Sequence, residues 1–523
     1  MWGIMINTWW VTRPKRKLNA VPEVLATFAE VSLDDEWKGQ RGMHLSLEEA
    51  LEEANLKRKG ERRDQTGGGA RTYQAWISSL GLIFIQKSTK QLKLTLAGEA
   101  IMDGDSPVAV LKNQILKYQF PSSFSIGRGV DVAPRFKIRP FRFLLRMLMD
   151  KEVDGLSEEE IAKVVITNAE NETDSCYKFV VDRLKAFRAY GDAGLDADFF
   201  KKYAPKTGKV NPAHPFSHLM DIANTVINWM EYTQLAQRDS EDKKLRVIPE
   251  KENEVVSILG SVPPFIDRPE EHEYFQRKYG LDPKHQKDTR NLTASRTITA
   301  KLIAEQKIKK AFIVESLKAP ITKITVGLID KIVEQTGIDG RLVEENLQRL
   351  YPHGAIGAFM TQYFDMATKG RDEATEFEKA TVTIFNEVFG FNSKHVGPIG
   401  LTPDVLLLSD SDKYSAIIDN KAYSRYSISN DHHNRMIHNY IEGFKNYCDS
   451  PYPLAFFSYI AGGFGSNIDA QLMKIVNETG VNGSAVTVSS VIQMVEKQQA
   501  EPYSHAKIRE LFSLNRQLVL SDL

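Results

Sequence analysis

The sequence predicts a multidomain α+β protein: a mostly helical N-terminal part containing helix-and-hairpin units, followed by a C-terminal α/β module. Three observations lead to this. The 523 residues exceed what one hydrophobic core organises, so two to four domains are expected. Apolar residues recur at helical spacing over much of the chain before residue 370, interrupted by short strand-like runs. From about residue 371 the pattern changes to helix, two strands, helix and strand.

The elements follow in order. Ala75 to Leu80 reads as helix, Gly81 to Ile85 and Leu92 to Thr95 as a hairpin, and a further helix starts at Ala97, the element order of a winged-helix unit. An apolar helix from Phe141 to Asp150 follows Pro140, and Ser157 caps another that opens with Glu158, Glu159 and Glu160. A strand from Leu245 to Pro249 before a helix from Glu252 to Leu259 suggests a second winged unit. Ser261-Val262-Pro263-Pro264 marks a boundary, giving a first region of 1–265. Residues 266–370, with breaks at Pro320, Gly337 and Pro352, read as a helical connector. The last region, 371–523, holds a helix from Asp372 to Phe389 ended by Gly390, then strands Val405 to Leu408 and Tyr414 to Ile418 joined as an antiparallel hairpin. A helix from Asn430 to Cys448 and a buried strand from Leu454 to Ile460 complete it.

Composition removes several classes. An apolar fraction of 42% with 26% charged residues is that of an ordinary globular protein, neither fibrous nor disordered. Cys176 and Cys448 are too few for a disulfide framework or a four-ligand zinc site, which suits a reducing cytoplasm. The segment Met1 to Trp10 is apolar but short, lacks a basic leader and runs into Arg13, Lys15, Arg16 and Lys17, unlike a signal peptide. No stretch approaches the ~20 uninterrupted apolar residues of a spanning helix, so no membrane partner is expected. The net charge of zero argues against a nucleic-acid partner until its distribution is considered. Residues 1–150 carry 23 Lys and Arg against 16 Asp and Glu, so the N-terminal part is basic. That surplus suits a phosphate-rich partner and a plain solvated surface equally.

The chemistry-bearing residues concentrate in the last region. Asp404 starts one strand of the hairpin and Asp419 ends its neighbour, which brings both to the same end of a sheet. Lys421 lies two residues after Asp419, on the same face of a strand. Two carboxylates and an ammonium are what phosphodiester hydrolysis needs: ligands for a hard cation, Mg²⁺, and a positive group beside the nucleophile. Glu378, on the preceding helix, and the carbonyl of Asn420 are further candidates. Singly these are ordinary, since Pro-Asp is a common turn dipeptide and Asp-x-Lys occurs by chance. Together, Pro403-Asp404 followed by Asp419-Asn420-Lys421 reads as a PD-(D/E)xK nuclease motif.

The run Phe385 to Gly397, then Pro403-Asp404, then Ile418-Asp419-Asn420-Lys421-Ala422-Tyr423-Ser424 resembles the cleavage domain of FokI-type restriction enzymes. The likeness continues through Phe457 to Gly465, Ala470-Gln471-Leu472 and Asn482-Gly483, covering roughly 375–500. Further upstream, Trp9-Trp10-Val11, Trp37-Lys38-Gly39, Leu94 to Gly98 and Lys117 to Ser122 resemble the recognition region of the AlwI and BstNBI group of type IIS restriction enzymes, over about 5–260. These resemblances imply a Mg²⁺-dependent endonuclease that reads a short asymmetric site in double-stranded DNA and cuts at a fixed distance outside it. They also imply metal carboxylates at Asp404 and Asp419, the family's lysine at Lys421 and its upstream glutamate at Glu378. A transient homodimer through the cleavage domain and a cognate DNA methyltransferase in the same system follow as expected partners. One departure matters: where the family's next helix carries an Asp and an Arg that pair two cutting domains, this chain has Arg435 and Asn439. A strand-specific nicking enzyme, a subunit of a heterodimer, and an inert site-specific DNA-binding protein therefore stay open.

For DNA contact the candidates are Lys15 and Arg16 in the basic run Arg13 to Lys17, Arg71 after Gly67-Gly68-Gly69, Arg128 and Arg135, with arginine suited to guanine and lysine to phosphate. Asp431-His432-His433-Asn434 reads as a solvated helix face rather than a metal or nuclease box, Gly462 to Ser466 as a tight turn, and His395 falls outside the catalytic set.

Overall fold

A computed structural model describes residues 4–58, 67–126, 130–204, 215–239, 241–292, 299–368, 370–397 and 401–523. Packing divides the chain into two compact units. The first comprises Met1–Gln237, Lys244–Val314 and Thr325–Pro352; the second comprises Arg238–Lys243, Glu315–Ile324 and His353–Leu523. Residues 266–370, read from sequence as one connector, are helical over most of their length but are shared between the units.

The first unit is mostly helix. Helix Gly68–Ser79 leads into the antiparallel pair Ile83–Ile85 and Leu92–Leu94, in register Ile83↔Leu94, and then into helix Leu96–Met102. The last helix starts where Thr95 accepts a hydrogen bond from the Gly98 N–H at 3.1 Å. Gly98 is required there, because a Cβ would run into the carbonyl oxygen of Leu82. Strand Ala236–Arg238 pairs with Leu245–Val247, which leads through a short turn into helix Glu252–Gly260. Ser157 and Glu160 form a reciprocal capping box, as the spacing of that serine and the acidic run anticipates. The helix after Pro140 spans Pro140–Leu148, ending two residues before the Asp150 read from sequence, within the fraying usual at helix ends.

The second unit is a layered α/β structure. Its elements are α1 (Gly357–Met366), α2 (Ala374–Glu387), β1 (Asn392–His395), β2 (Val405–Ser409), β3 (Tyr414–Asn420), α3 (Asn430–Asn434), β4 (Leu454–Ala461), α4 (Ile468–Thr479), β5 (Asn482–Thr487), α5 (Val488–Gln498) and α6 (His505–Phe512). The five strands stand in the order β5-β4-β3-β2-β1, with β1, β2 and β3 antiparallel and β3, β4 and β5 parallel. Every residue of β3 is buried, as a central strand covered on both faces must be. On one face Leu406, Ile417 and Tyr459 pack with Tyr426, Met436, Ile437, Tyr440 and Phe444. The helix expected from Asn430 to Cys448 is three pieces: α3, a π-helical stretch Arg435–Ile441, and a short turn Phe444–Asn446. Among the described residues no helix is long and apolar enough to cross a membrane.

Candidate active site

The hairpin sets the geometry. β2 and β3 pair as Val405↔Ile418 and Leu406↔Ile417, and one step further along that ladder Asp404 stands opposite Asp419. Directly opposed residues of an antiparallel pair share a face, so both carboxylates are presented on the side of Leu406 and Ile417. Lys421, two residues on, brings its Nζ to 2.6 Å from Asp419 Oδ2, with side-chain exposures of 15% and 4%. Asn420 alternates to the opposite face. Its backbone N–H donates to Asp404 Oδ2 at 2.6 Å, and its side-chain Nδ2 donates to Thr381 Oγ1 on α2 at 2.7 Å. The Thr381 hydroxyl is itself held by the Phe377 carbonyl at 3.0 Å and paired with the Tyr363 hydroxyl at 2.9 Å, so α1, α2 and β3 are tied through one buried polar chain.

Glu378 lies one turn before Thr381 on α2 and meets Nε2 of His395, the last residue of β1, at 2.7 Å. Sequence alone places His395 outside the catalytic residues. Its contact with Glu378 spans seventeen positions and leaves no local pattern to read.

Burial and the neighbouring Asp419 charge push the Asp404 carboxyl well above the usual carboxylate range, with Glu378 adding to the effect and Lys421 opposing it. Burial alone would lower the Lys421 ammonium, but Asp419 and Asp404 outweigh it and hold the group above its ordinary value. Three carboxylates thus face one ammonium in a largely dry site. The imbalance favours a further cation. Asp419 Oδ1 is buried with no hydrogen-bond partner. Such an orphaned oxygen costs about 1–3 kcal/mol unless something engages it. Hard oxygen donors in short supply of positive charge fit Mg²⁺. Among the described residues no three His, Cys, Asp or Glu side chains gather as a closed metal cage. Mg²⁺ needs none, since it keeps several waters and takes one or two carboxylates.

Of the four residues read as a solvated face, Asp431 and Asn434 are exposed and the two histidines are not. His432 is half-buried with Nδ1 at 2.8 Å from the Tyr426 hydroxyl, and His433 Nε2 lies 3.3 Å from Glu478.

The DNA-contact candidates belong to the first unit and are differently disposed. Arg16 is exposed and pairs with Asp221 at 2.6 Å. Lys15 is half-buried, and that burial holds its ammonium below the ordinary value despite Glu23. Arg71 sits in the first turns of helix Gly68–Ser79, close enough to His44 to act on its charge. Arg135 turns to partners within the unit: Asn7 at 3.2 Å, the Thr167 carbonyl at 3.1 Å, Glu170, and the Phe136 ring at 4.3 Å. Arg128 lies outside the described residues.

Comparison with known proteins gives two family matches that overlap at residues 337–339. The family described as FokI, cleavage domain, matches residues 337–519, and the AlwI restriction endonuclease family matches residues 78–339. The type II restriction enzyme StsI of Streptococcus sanguinis is 26% identical over 160 residues, covering 28% of this chain and 26% of that protein. The chain therefore spans about a quarter of the length of that curated relative. Among solved structures, restriction endonuclease FokI aligns over 98% of this chain and 100% of its own at 15% identity and a TM-score of 0.29. The BpuJ1 endonuclease binding domain, in complex with pyrene- and phenanthrene-modified DNA, aligns over 52% of this chain and 96% of its own at 17% identity and a TM-score of 0.36.

Proposed function

This chain belongs to the AlwI restriction endonuclease family, and on that footing we propose that it is a Mg²⁺-dependent type IIS enzyme that binds a short asymmetric site in double-stranded DNA and hydrolyses phosphodiester bonds at a fixed distance outside it. The recognition part would be residues 1–265 with its winged-helix-like units, 266–370 the connector, and 371–523 a nuclease domain of the PD-(D/E)xK class. One observation carries the reading: Asp404 and Asp419 oppose each other across a hairpin end with Lys421 against the second of them.

In this reading Asp404, Asp419 and the main-chain carbonyl of Asn420 would hold Mg²⁺, which when bound supplies neutralisation of the phosphate and a more acidic water. The Asn420 backbone N–H fixes the Asp404 carboxylate in one orientation, and Thr381 fixes Asn420 in turn. Lys421, kept protonated by its carboxylate neighbours, orients the attacking water and stabilises charge developing on the phosphate oxygens. Glu378, steadied by His395, reaches the site through water. One such site cuts one strand, so a double-strand break calls for a transient homodimer of cutting domains, and a cognate DNA methyltransferase would protect the host's own sites.

A second reading, strand-specific nicking or a role as one subunit of a heterodimer, is favoured by Arg435 and Asn439, which stand where FokI-type cleavage domains carry the Asp and Arg that pair two cutting domains. Digestion of a supercoiled plasmid with Mg²⁺, followed by sequencing of the ends, tests both. Ends at a constant offset from one asymmetric sequence support the type IIS reading, linear product distinguishes it from nicking, and intact plasmid bound at one site would leave an inert DNA-binding protein.

A further inference from the structure

Beside the carboxylates, on the same face of the sheet, Tyr426 and His432 form a pair that the reaction described above does not use. Tyr426 is buried, with its ring 5.6 Å from that of Tyr459 and 6.3 Å from that of Tyr423. Tyr459 is the residue that neighbours Asp419 across the β3–β4 ladder, so this aromatic layer adjoins the carboxylate directly. The Tyr426 hydroxyl lies 2.8 Å from Nδ1 of His432, and the backbone N–H of His432 donates to Ser429 Oγ at 3.2 Å, which fixes the residue at the start of α3.

The other ring nitrogen of His432, Nε2, has no hydrogen-bond partner among the described residues and is not sealed from solvent. Burial holds the imidazole below its ordinary value, Lys421 adds to this and Asp419 opposes it, so the ring stands within electrostatic reach of the site's own charges. Burial, followed by the Asp419 charge, keeps the Tyr426 phenol protonated far above neutral pH. A phenol that keeps its proton and has no other acceptor donates to Nδ1, and the imidazole proton then resides on Nε2.

We propose that His432 is a further substrate-binding residue of the cutting site, its Nε2–H donating to a non-bridging oxygen of a phosphate flanking the scissile one, with Tyr426 as the positioning residue that fixes its tautomer. A neutral, directed donor suits that place. Lys421 and the cation of the proposed site serve the scissile phosphate, while the flanking phosphate needs register more than charge. The inference rests on the DNA-cutting reading.

The test uses the full-length protein, Mg²⁺ and a synthetic duplex spanning a cut position mapped by end sequencing, under single-turnover conditions. His432→Ala is expected to slow cutting by ~10- to 100-fold, the worth of one hydrogen bond to a charged group. His432→Gln, which keeps an N–H at a similar reach, is expected to recover part of that rate, and Tyr426→Phe to fall between wild type and His432→Ala. A neutral methylphosphonate at the contacted flanking phosphate should slow wild type and leave His432→Ala no slower than it already is. Thermal melting in parallel separates loss of contact from loss of fold, and His432→Gln with the methylphosphonate series carries the test if His432→Ala melts early. Wild-type rates in His432→Ala, or methylphosphonate effects of equal size in both proteins at every position, would overturn the proposal while leaving the cutting reading intact. Failure of wild type to cut the unmodified duplex would remove the cutting reading itself.

Discussion

Asp404 Oδ2 accepts the backbone N–H of Asn420 at 2.6 Å, so the first carboxylate of the site is oriented by the main chain that separates the second carboxylate from the lysine. A side chain fixed by backbone cannot drift when a neighbour is changed. Substitutions at this site should therefore alter charge with little change of shape.

Relief of repulsion gives the first prediction. Burial and the Asp419 charge hold the Asp404 carboxyl well above its ordinary range, so in metal-free protein the ionised pair destabilises the fold. Asp404→Asn should raise the melting temperature of the metal-free protein and abolish cutting. A lower melting temperature across the pH range would contradict the like-charge account.

The pH dependence follows with a definite sign. A carboxyl whose folded-state pKa is raised binds its proton more tightly folded than unfolded, so its contribution is fully present below the ordinary carboxylate range and is lost as pH rises through the raised value. Metal-free wild type should lose stability relative to Asp404→Asn over that window, read as the difference between their melting temperatures against pH. A flat difference would count against a raised Asp404.

Metal should reverse the trend. Mg²⁺ that binds only the folded site stabilises it by mass action. Titrating MgCl₂ into wild type with its DNA should raise the melting temperature, with chelation by EDTA restoring the metal-free value and stopping cleavage. The same titration in Asp419→Asn should shift the melting temperature far less.

The support behind the site is testable separately. Thr381→Val leaves the Asn420 amide and the Tyr363 hydroxyl without their partner in a buried place. A loss of about 1–3 kcal/mol in denaturant unfolding is expected, together with slower cutting at unchanged DNA affinity.

The first unit has its own sensitive point at Gly98, where a methyl group would meet the Leu82 carbonyl. Gly98→Ala should destabilise by about 1–3 kcal/mol through overpacking and weaken site binding, measured by gel shift in Ca²⁺. An unchanged melting temperature would contradict the overpacking account.

Much of this was legible in the sequence where a local pattern carried it. β2, β3 and β4 are strongly apolar, and the Ser157 cap with its acidic turn is a local signal. β1 carries no local strand signal because it is an edge strand reading Asn-Ser-Lys-His, with the charged and polar residues that edges use against further pairing. β5 opens on Asn-Gly, a turn signal, yet Gly483 is there because a Cβ would strike the Phe457 ring on the neighbouring strand. The helix after Lys421 had the right apolar spacing, but nothing local marks its change to a π-helical stretch at Arg435. Asp404, Asp419 and Lys421 could be placed from strand register alone, whereas the Glu378–His395 and Tyr426–His432 contacts join different elements and only the fold brings them together.

The most direct test of the central claim is the Mg²⁺-dependent cutting rate of plasmid DNA by Asp404→Ala, Asp419→Ala and Lys421→Ala, set beside their DNA affinity in Ca²⁺. The account predicts losses of ~10²-fold or more in rate for each, as removal of a group acting on transition-state charge produces, with affinity within a few-fold of wild type. Cutting at the wild-type rate by any of the three would contradict it.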